Sequence, residues 1–321
     1  MKKIDLTIGI DIGGTNTAFG IIDREGKFYG DGNIQTNEHQ NISDYITELC
    51  TEIKISLSKI KKEVNLVGIG LGAPNGNFYS GCIERASNLR WKGIIPLCDL
   101  IKHHFPDSKV IMTNDANAAA LGEMIYGGAK DIKDFIMITL GTGVGSGFVS
   151  GGNLIYGHDG FAGEIGHVII VPDGRECGCG RKGCLETYTS ATGVVRTAYE
   201  MMSTYNDTSS LREIPYSKME SKTIYKAALK GDKIALRTFD YTAKILGIAL
   251  ANTVAITSPK AIFLMGGLAK SGDLLIKPTK KYMEKYMLYT YENKVEILPS
   301  QLTKNVAIYG AASLIWNDIQ N

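Results

Sequence analysis

Two glycine-tipped hairpins, about 130 residues apart, constrain this chain more than any other feature. The first runs from Ile4 to Ile10, turns through Asp11-Ile12-Gly13-Gly14-Thr15-Asn16 and returns through Thr17 to Ile22. The second runs from Phe135 to Leu140, turns at Gly141-Thr142-Gly143 and returns through Gly147-Phe148-Val149. Apolar, β-branched runs bounded by glycine read as antiparallel strand pairs. Each pair is followed by another turn and short strand, Asp23 to Phe28 in one case and Ser150 to Ile155 in the other. A chain of 321 residues is long enough for about two domains, so the repetition points to a duplicated α/β unit.

Helical segments alternate with these strands. Apolar residues recur at helical spacing over residues 42–60, Ala116 to Tyr126 is short and alanine-rich, and residues 232–257 make a long apolar helix ending before Ser258-Pro259. A strand from Ala261 to Leu264 and the turn Met265-Gly266-Gly267 follow, and an amphipathic helix near Gly310 to Ile319 closes the chain. The stretch Tyr205 to Lys222 is polar, lacks a clear period and reads as a mobile surface loop. Lys and Arg total 35 against 33 Asp and Glu, so bulk charge argues for neither nucleic acid nor an anionic membrane as partner. The start, Met1-Lys2-Lys3-Ile4-Asp5, lacks the apolar region of a secretory signal, and the most apolar runs stop at glycine far short of the ~20 residues of a membrane helix. A cytoplasmic protein is expected.

Three of the six cysteines crowd into Cys177, Cys179 and Cys184, and His167 precedes them. In a reducing compartment such crowding reads as metal binding. Three thiolates and one imidazole match a closed, structural Zn²⁺ site with no position left for a reactive water. The bland alternative is a core histidine beside inert thiols. A nucleic-acid zinc finger does not fit, because the paired Cys-x-x-Cys and His-x-x-x-His halves are missing and no basic recognition helix follows.

The tip Asp11-Ile12-Gly13-Gly14-Thr15-Asn16-Thr17 can bring backbone N–H groups close to phosphate oxygens, and Asp11 can hold a water on Mg²⁺. In Gly141-Thr142-Gly143-Val144-Gly145-Ser146-Gly147 a glycine stands at every second residue, which puts them on one face of a strand where something approaches the backbone. Gly68-Ile69-Gly70-Leu71-Gly72-Ala73 fits a loose dinucleotide fingerprint, but Pro74-Asn75-Gly76 follows where a helix is required. Lys109 to Asn114 reads as a strand with Asp115 at its carboxyl end, where open α/β sheets bind ligands. Asp115 is therefore either a candidate catalytic residue or the N-cap of the alanine helix. Glu164, His167 and Glu186 would be braced on one metal-bound loop, a cage suited to a polyhydroxylated ligand.

Taken together, these motifs resemble the ROK family (repressor, open reading frame, kinase) of sugar kinases over nearly the whole chain. The resemblance rests on Asp11 to Thr15, Leu140 to Gly147, Asn114-Asp115-Ala116-Asn117, Gly163-Glu164-Ile165-Gly166-His167 and Cys177 through Glu186, with Asn88-Leu89-Arg90-Trp91 similar to the family's sugar-side segment. It implies an actin-like ATPase fold of two ribonuclease-H-like domains with ATP and sugar in the cleft between them. The expected division is residues 1–117 with 306–321 as the smaller domain and 118–305 as the larger, zinc-bearing one. By the same likeness Asp115 is the general base for a sugar hydroxyl, usually on C6, as it attacks the γ-phosphate. Asn88, Asn114, Asp115, Glu164, His167 and Glu186 would hold the sugar, with His167 using the ring nitrogen that zinc leaves free. Asp11, Gly13, Gly14, Thr15, Asn16, Gly141, Thr142 and Gly143 would surround the phosphates and Mg²⁺, with Gly266 and Gly267 near the adenosine. His167, Cys177, Cys179 and Cys184 would bind structural zinc. Met265 departs from the family pattern, which often has a third glycine there.

The implied activity is ATP-dependent phosphorylation of a hexose, glucose foremost, with N-acetylmannosamine, N-acetylglucosamine or another hexose as alternatives. The segment Pro74 to Arg90 is expected to shape the side of the pocket that accepts or refuses an acetamido group. Relatives are commonly dimers or tetramers, which implies a homo-oligomer. The family's repressors carry a helix-turn-helix ahead of the kinase-like part, whereas ten residues precede Asp11 here, so a sugar-responsive regulator is the second class.

Overall fold

The computed structural model describes residues 3–86, 88–303 and 305–320. The chain begins with strands β1 (Ile4–Ile12), β2 (Asn16–Ile22) and β3 (Phe28–Gln35), helix α1 (Ile42–Ser58) and strand β4 (Val64–Gly72). The short strands β5 (Ile83–Glu84) and β6 (Ile94–Ile95), helix α2 (Leu97–His104), strand β7 (Lys109–Thr113) and helix α3 (Asp115–Tyr126) follow. A second hairpin, β8 (Phe135–Leu140) and β9 (Val144–Ser150), leads through β10 (Asn153–Leu154) to helices α4 (Glu186–Thr189), α5 (Ala191–Thr204), α6 (Ser221–Leu229) and α7 (Lys233–Thr257). The chain ends with β11 (Ala261–Met265), α8 (Asp273–Tyr286), β12 (Glu296–Pro299) and α9 (Val306–Gln320).

Two compact units result. One contains Met1–Asp131, Leu154–Ala162 and Gln301–Asn321; the other contains Ile132–Asn153 and Gly163–Ser300. The first holds a five-stranded sheet in the order β3-β2-β1-β4-β7, and the sheet built from the second hairpin has the order β10-β9-β8-β11-β12. In both, the hairpin is antiparallel and the next two strands run parallel to its first strand. The duplication expected from the hairpins is thus a repeat of sheet topology, strand for strand.

The first unit explains the glycines of its central strands. Leu6, Ile8 and Ile10 of β1 are fully buried in one core with Tyr45, Leu49 and Ile53 of α1. The opposite face meets α9: a Cβ on Gly9 would lie 2.1 Å from the Ile308 carbonyl oxygen, and one on Gly70 would lie 1.8 Å from that of Ala311. Gly310 of α9 in turn lies against the backbone of α3, where a Cβ would come 2.5 Å from the Ala118 carbonyl oxygen. Gly68-Ile69-Gly70-Leu71-Gly72 is thus a helix-packing stripe on β4 and not a dinucleotide loop. These contacts also move the expected domain boundary. A cut at 117/118 would divide α3, whereas its packing on α9 keeps the whole helix, and the chain as far as Asp131, in the first unit.

The second unit corrects another expectation. The segment from Tyr205 to Lys222 contains two single-turn 3₁₀ helices, Ser210–Glu213 and Tyr216–Lys218, and the start of α6. Ser209 caps the first of these through Leu211 N–H and donates its hydroxyl to Asp232, and Leu211 is fully buried. Turns three or four residues long leave no period for a sequence scan to detect. Among the described residues no helix is long and apolar enough to cross a membrane.

Candidate active site

In the first unit the strand register collects two carboxylates at one end of the sheet. Asp11 pairs with Gly72 across β1 and β4, and Gly72 pairs with Thr113 across β4 and β7, two residues before Asp115. The cap of α3 is Asn114, whose Oδ1 accepts the Asn117 N–H at 2.7 Å. The alternative that Asp115 is merely the N-cap is thereby removed. Asp115 is the first helical residue and exposed, and its Oδ1 accepts only the adjacent Ala116 N–H among the described residues.

The first glycine tip is a tight turn closed by Gly13 N–H to the Asn16 carbonyl at 2.9 Å. Its far side is held by Thr36 N–H donating to the Thr15 carbonyl at 2.8 Å. Beneath it, the Thr17 hydroxyl sits 2.8 Å from that of Thr36 and 2.7 Å from that of Tyr45. Gly14 has a direct reason to lack a side chain, since a Cβ there would lie 2.6 Å from the Asn88 carbonyl oxygen. The expected phosphate tip and the exposed Asn88 are therefore in backbone contact. Trp91, three residues on, is buried with its ring 4.6 Å from that of Tyr45, so it supports the segment from the core side.

The second unit assembles the expected metal ligands. One donor atom from each of His167, Cys177, Cys179 and Cys184 lies within 4.8 Å of the others. Cys179 Sγ is 3.7 Å from Cys184 Sγ, and Cys177 Sγ is 3.7 Å from His167 Nδ1. Four ligands at ordinary Zn²⁺ bond lengths stand about 3.5–3.8 Å apart at the corners of a tetrahedron, so the donor set fits that ion. With Nδ1 turned toward the thiols, Nε2 is the nitrogen left for a ligand. Arg181 hydrogen-bonds Cys179, drawing its thiol down to about 6, and also donates to the His167 carbonyl at 3.0 Å. A low thiol pKa favours the thiolate that a metal binds.

Glu186 does more than the sequence indicated. Its Oε1 accepts from Cys177 Sγ at 3.1 Å, and its Oε2 lies 3.4 Å from Val144 N at the second glycine loop. A Cβ on Gly143 would sit 2.9 Å from Oε2. One carboxylate thus joins the thiol cluster to the loop Gly141-Thr142-Gly143. That loop is further held by Ala191 N–H to the Gly141 carbonyl and by the Thr192 hydroxyl to the Thr142 carbonyl. Glu164 is exposed, three residues before His167. Gly266, at φ +104°, is needed for close approach to Leu140, since its Cβ would come 2.4 Å from that carbonyl oxygen; Gly267 faces open space.

Sequence reasoning missed a cavity of about 390 Å³ lined by Ala191, Thr192 and Val195 of α5 with Tyr216, Met219, Glu220, Ser221 and Lys222. Its only sequence trace was the aperiodic stretch from Tyr205 to Lys222. Through Ala191 and Thr192 it adjoins the second glycine loop.

Comparison with known proteins places these features. The ROK family model matches residues 7–318, and the chain belongs to that family. A glucokinase of Halalkalibacterium halodurans is 36% identical over 314 residues, covering 96% of this chain and 94% of its own. A glucokinase of Thermotoga maritima is 31% identical over 98% of both chains. The crystal structure of a ROK family glucokinase from Streptomyces griseus, in complex with glucose and AMPPNP, is 32% identical and superposes with a TM-score of 0.77 over 96% of this chain and 98% of its own. The two matching sheets are the ribonuclease-H-like halves of the actin-like ATPase fold, as the sequence led us to expect.

Asp11 carries a measurable cost. Burial, and after it the negative charge of Asp115, pushes its carboxyl up to about 6. A raised carboxyl stabilises the fold fully below its unfolded value near 3.8 and loses that contribution as pH rises through 6, a difference of about 3 kcal/mol. Asp11→Asn is neutral at every pH, so it should melt about 6–12 °C above the wild type at pH 8 and nearly with it at pH 4. Calorimetry of both proteins without nucleotide checks this; an equal offset at both pH values would contradict it.

Proposed function

We propose that this protein transfers the γ-phosphoryl group of ATP to the C6 hydroxyl of a hexose, with glucose its principal substrate. The observation that carries this reading is Asp115, exposed at the head of α3, freed from capping by Asn114 and placed at the same sheet end as Asp11. As the hydroxyl oxygen attacks, Asp115 accepts its proton, and the bond from the γ-phosphorus to the bridging oxygen of ADP breaks. Asn88, Asn114, Glu164, Glu186 and the Nε2 of His167 orient the sugar so that one hydroxyl faces Asp115. Proximity of this kind lowers the barrier without any covalent intermediate.

Gly13, Gly14, Thr15 and Asn16 in the first unit and Gly141, Thr142 and Gly143 in the second offer backbone N–H groups and hydroxyls to the phosphates. Asp11 would hold Mg²⁺, and the ion would supply charge neutralisation for the transferring group. Cation binding also favours the ionised form that the fold disfavours. The purine end of ATP enters the cavity beneath Tyr216 and Lys222, with Gly267 leaving its own side open. The His167, Cys177, Cys179 and Cys184 site holds zinc as a brace and leaves Nε2 to the sugar.

Incubation with Mg²⁺, ATP and a panel of glucose, mannose, fructose, allose and the two N-acetylhexosamines, following ADP release, tests the reading. Glucose should give the highest kcat/KM, and absence of sugar-dependent turnover would sink it. Asp115→Asn should lower kcat by about 10³-fold or more while equilibrium glucose binding changes little. A variant that keeps its turnover would remove Asp115 as the base. Cys184→Ser should lose bound zinc and activity together; elemental analysis that finds a fully active, metal-free protein would refute the brace.

A further inference from the structure

Three consecutive residues of the loop after β4 each grip a different residue of a distant segment. Asn77, which is 4% exposed, donates Nδ2–H to the Asp159 carbonyl at 2.7 Å. The Phe78 ring stacks on that of Tyr156 with centroids 3.9 Å apart and planes at 14°. The Tyr79 hydroxyl donates to the Gly157 carbonyl at 2.9 Å. The gripped segment is closed on itself, with Ala162 N–H donating to the Tyr156 carbonyl at 3.0 Å. Gly160, at φ +89°, lies so close that a Cβ would come 2.6 Å from Asn77 Oδ1. Asn77 is held at both ends of its amide, since that oxygen accepts the Tyr79 N–H at 2.9 Å.

The other end of the gripping loop is tied to the strand that leads to Asp115. Ala73 N–H donates to the Thr113 carbonyl at 3.1 Å, and Gly76 lies against the same oxygen, where a Cβ would come within 2.6 Å. Asp115 follows Thr113 by two residues, and Glu164 follows Ala162 by two. Leu154–Ala162 belongs to the first unit although the chain on both sides belongs to the second. An excursion of this kind has to be held by contacts, because the flanking chain does not supply them.

We infer that Asn77, Phe78 and Tyr79 with Tyr156 form a positioning clamp for the acceptor sugar, fixing Ala162 relative to Asp115 and so the point from which the chain delivers Glu164. The inference rests on the proposed roles of Asp115 and Glu164. None of the four clamp residues needs to touch the sugar; they act through the path of the backbone. A misplacement of an orienting group by about 1 Å is enough to weaken both sugar binding and turnover. The phosphate tips are held by other contacts, at Thr36 for the first and Ala191 for the second, so ATP binding should be insensitive to the clamp.

Steady-state kinetics of the full chain with glucose and with ATP as varied substrates tests this. Tyr156→Ala should raise the KM for glucose about tenfold or more, lower kcat less than that, and leave the KM for ATP within about twofold. Tyr156→Phe retains the stack and should restore wild-type values. Tyr79→Phe removes one hydroxyl from an exposed ring, so it keeps the test valid if the alanine variant fails to fold; it should raise the glucose KM about three- to fivefold. An unchanged glucose KM in Tyr79→Phe or in a folded Tyr156→Ala, or equal rises in both KM values, would overturn the clamp. A wild type without hexose turnover, or Glu164→Ala with an unmoved glucose KM, would overturn the functional reading and the clamp with it.

Discussion

Backbone-on-backbone packing of α9 is the constraint from which the first unit follows. Gly9 and Gly70 let the helix settle on the centre of the sheet, and Gly310 lets α3 settle on the helix. Any side chain at these places would collide with a carbonyl oxygen of another element, which a packed core cannot absorb cheaply. Because α9 lies more than 200 residues beyond β4, one face of the sheet is covered only when this distant helix returns to it. The return also seats α3, and with it the carboxylate at its head. A residue near position 310 therefore bears on where the carboxylate of Asp115 is placed.

What this seating creates is an electrostatic tension. Asp11 is largely buried and Asp115 is close enough for its charge to matter, so the fold holds one carboxyl near the pH at which it would be half ionised. Groups perturbed in this way cluster at functional sites because the ligand, not the protein, supplies the compensation. A divalent cation held by Asp11 would provide it. The second unit handles charge differently, by sharing. Glu186 spans from a thiol to the second glycine loop, so a change at the thiol cluster would be felt where phosphate is expected.

The repeat of hairpins was legible because strand period and glycine turns are local, and the sheets have the topology that the repeat implied. The thiol cluster was legible for the same reason, its ligands lying within one short segment apart from His167. Less was readable wherever the deciding contact was remote. The cap of α3 went to Asn114 because its side chain reaches Asn117, a choice between neighbours that propensity does not make. The fingerprint around Gly70 is already discounted for want of a following helix, but the reason for the glycine appears only when α9, about 240 residues later, occupies the space. The segment from Tyr205 to Lys222 gave no period because its turns are single and its anchor, Asp232, lies beyond it. The grip of Asn77 on Asp159 spans 82 residues and leaves no pattern in either stretch.

The central claim is that a phosphoryl group passes from ATP to one particular oxygen of a hexose. Nuclear magnetic resonance of the product formed from ATP, Mg²⁺ and uniformly ¹³C-labelled glucose addresses it most directly, because phosphorus couples to the carbon that bears the new ester. The account predicts phosphorus coupling at C6, with the C1 anomers still interconverting. An ester at C1 or any other carbon, or ADP formed without a phosphorylated sugar, would contradict it.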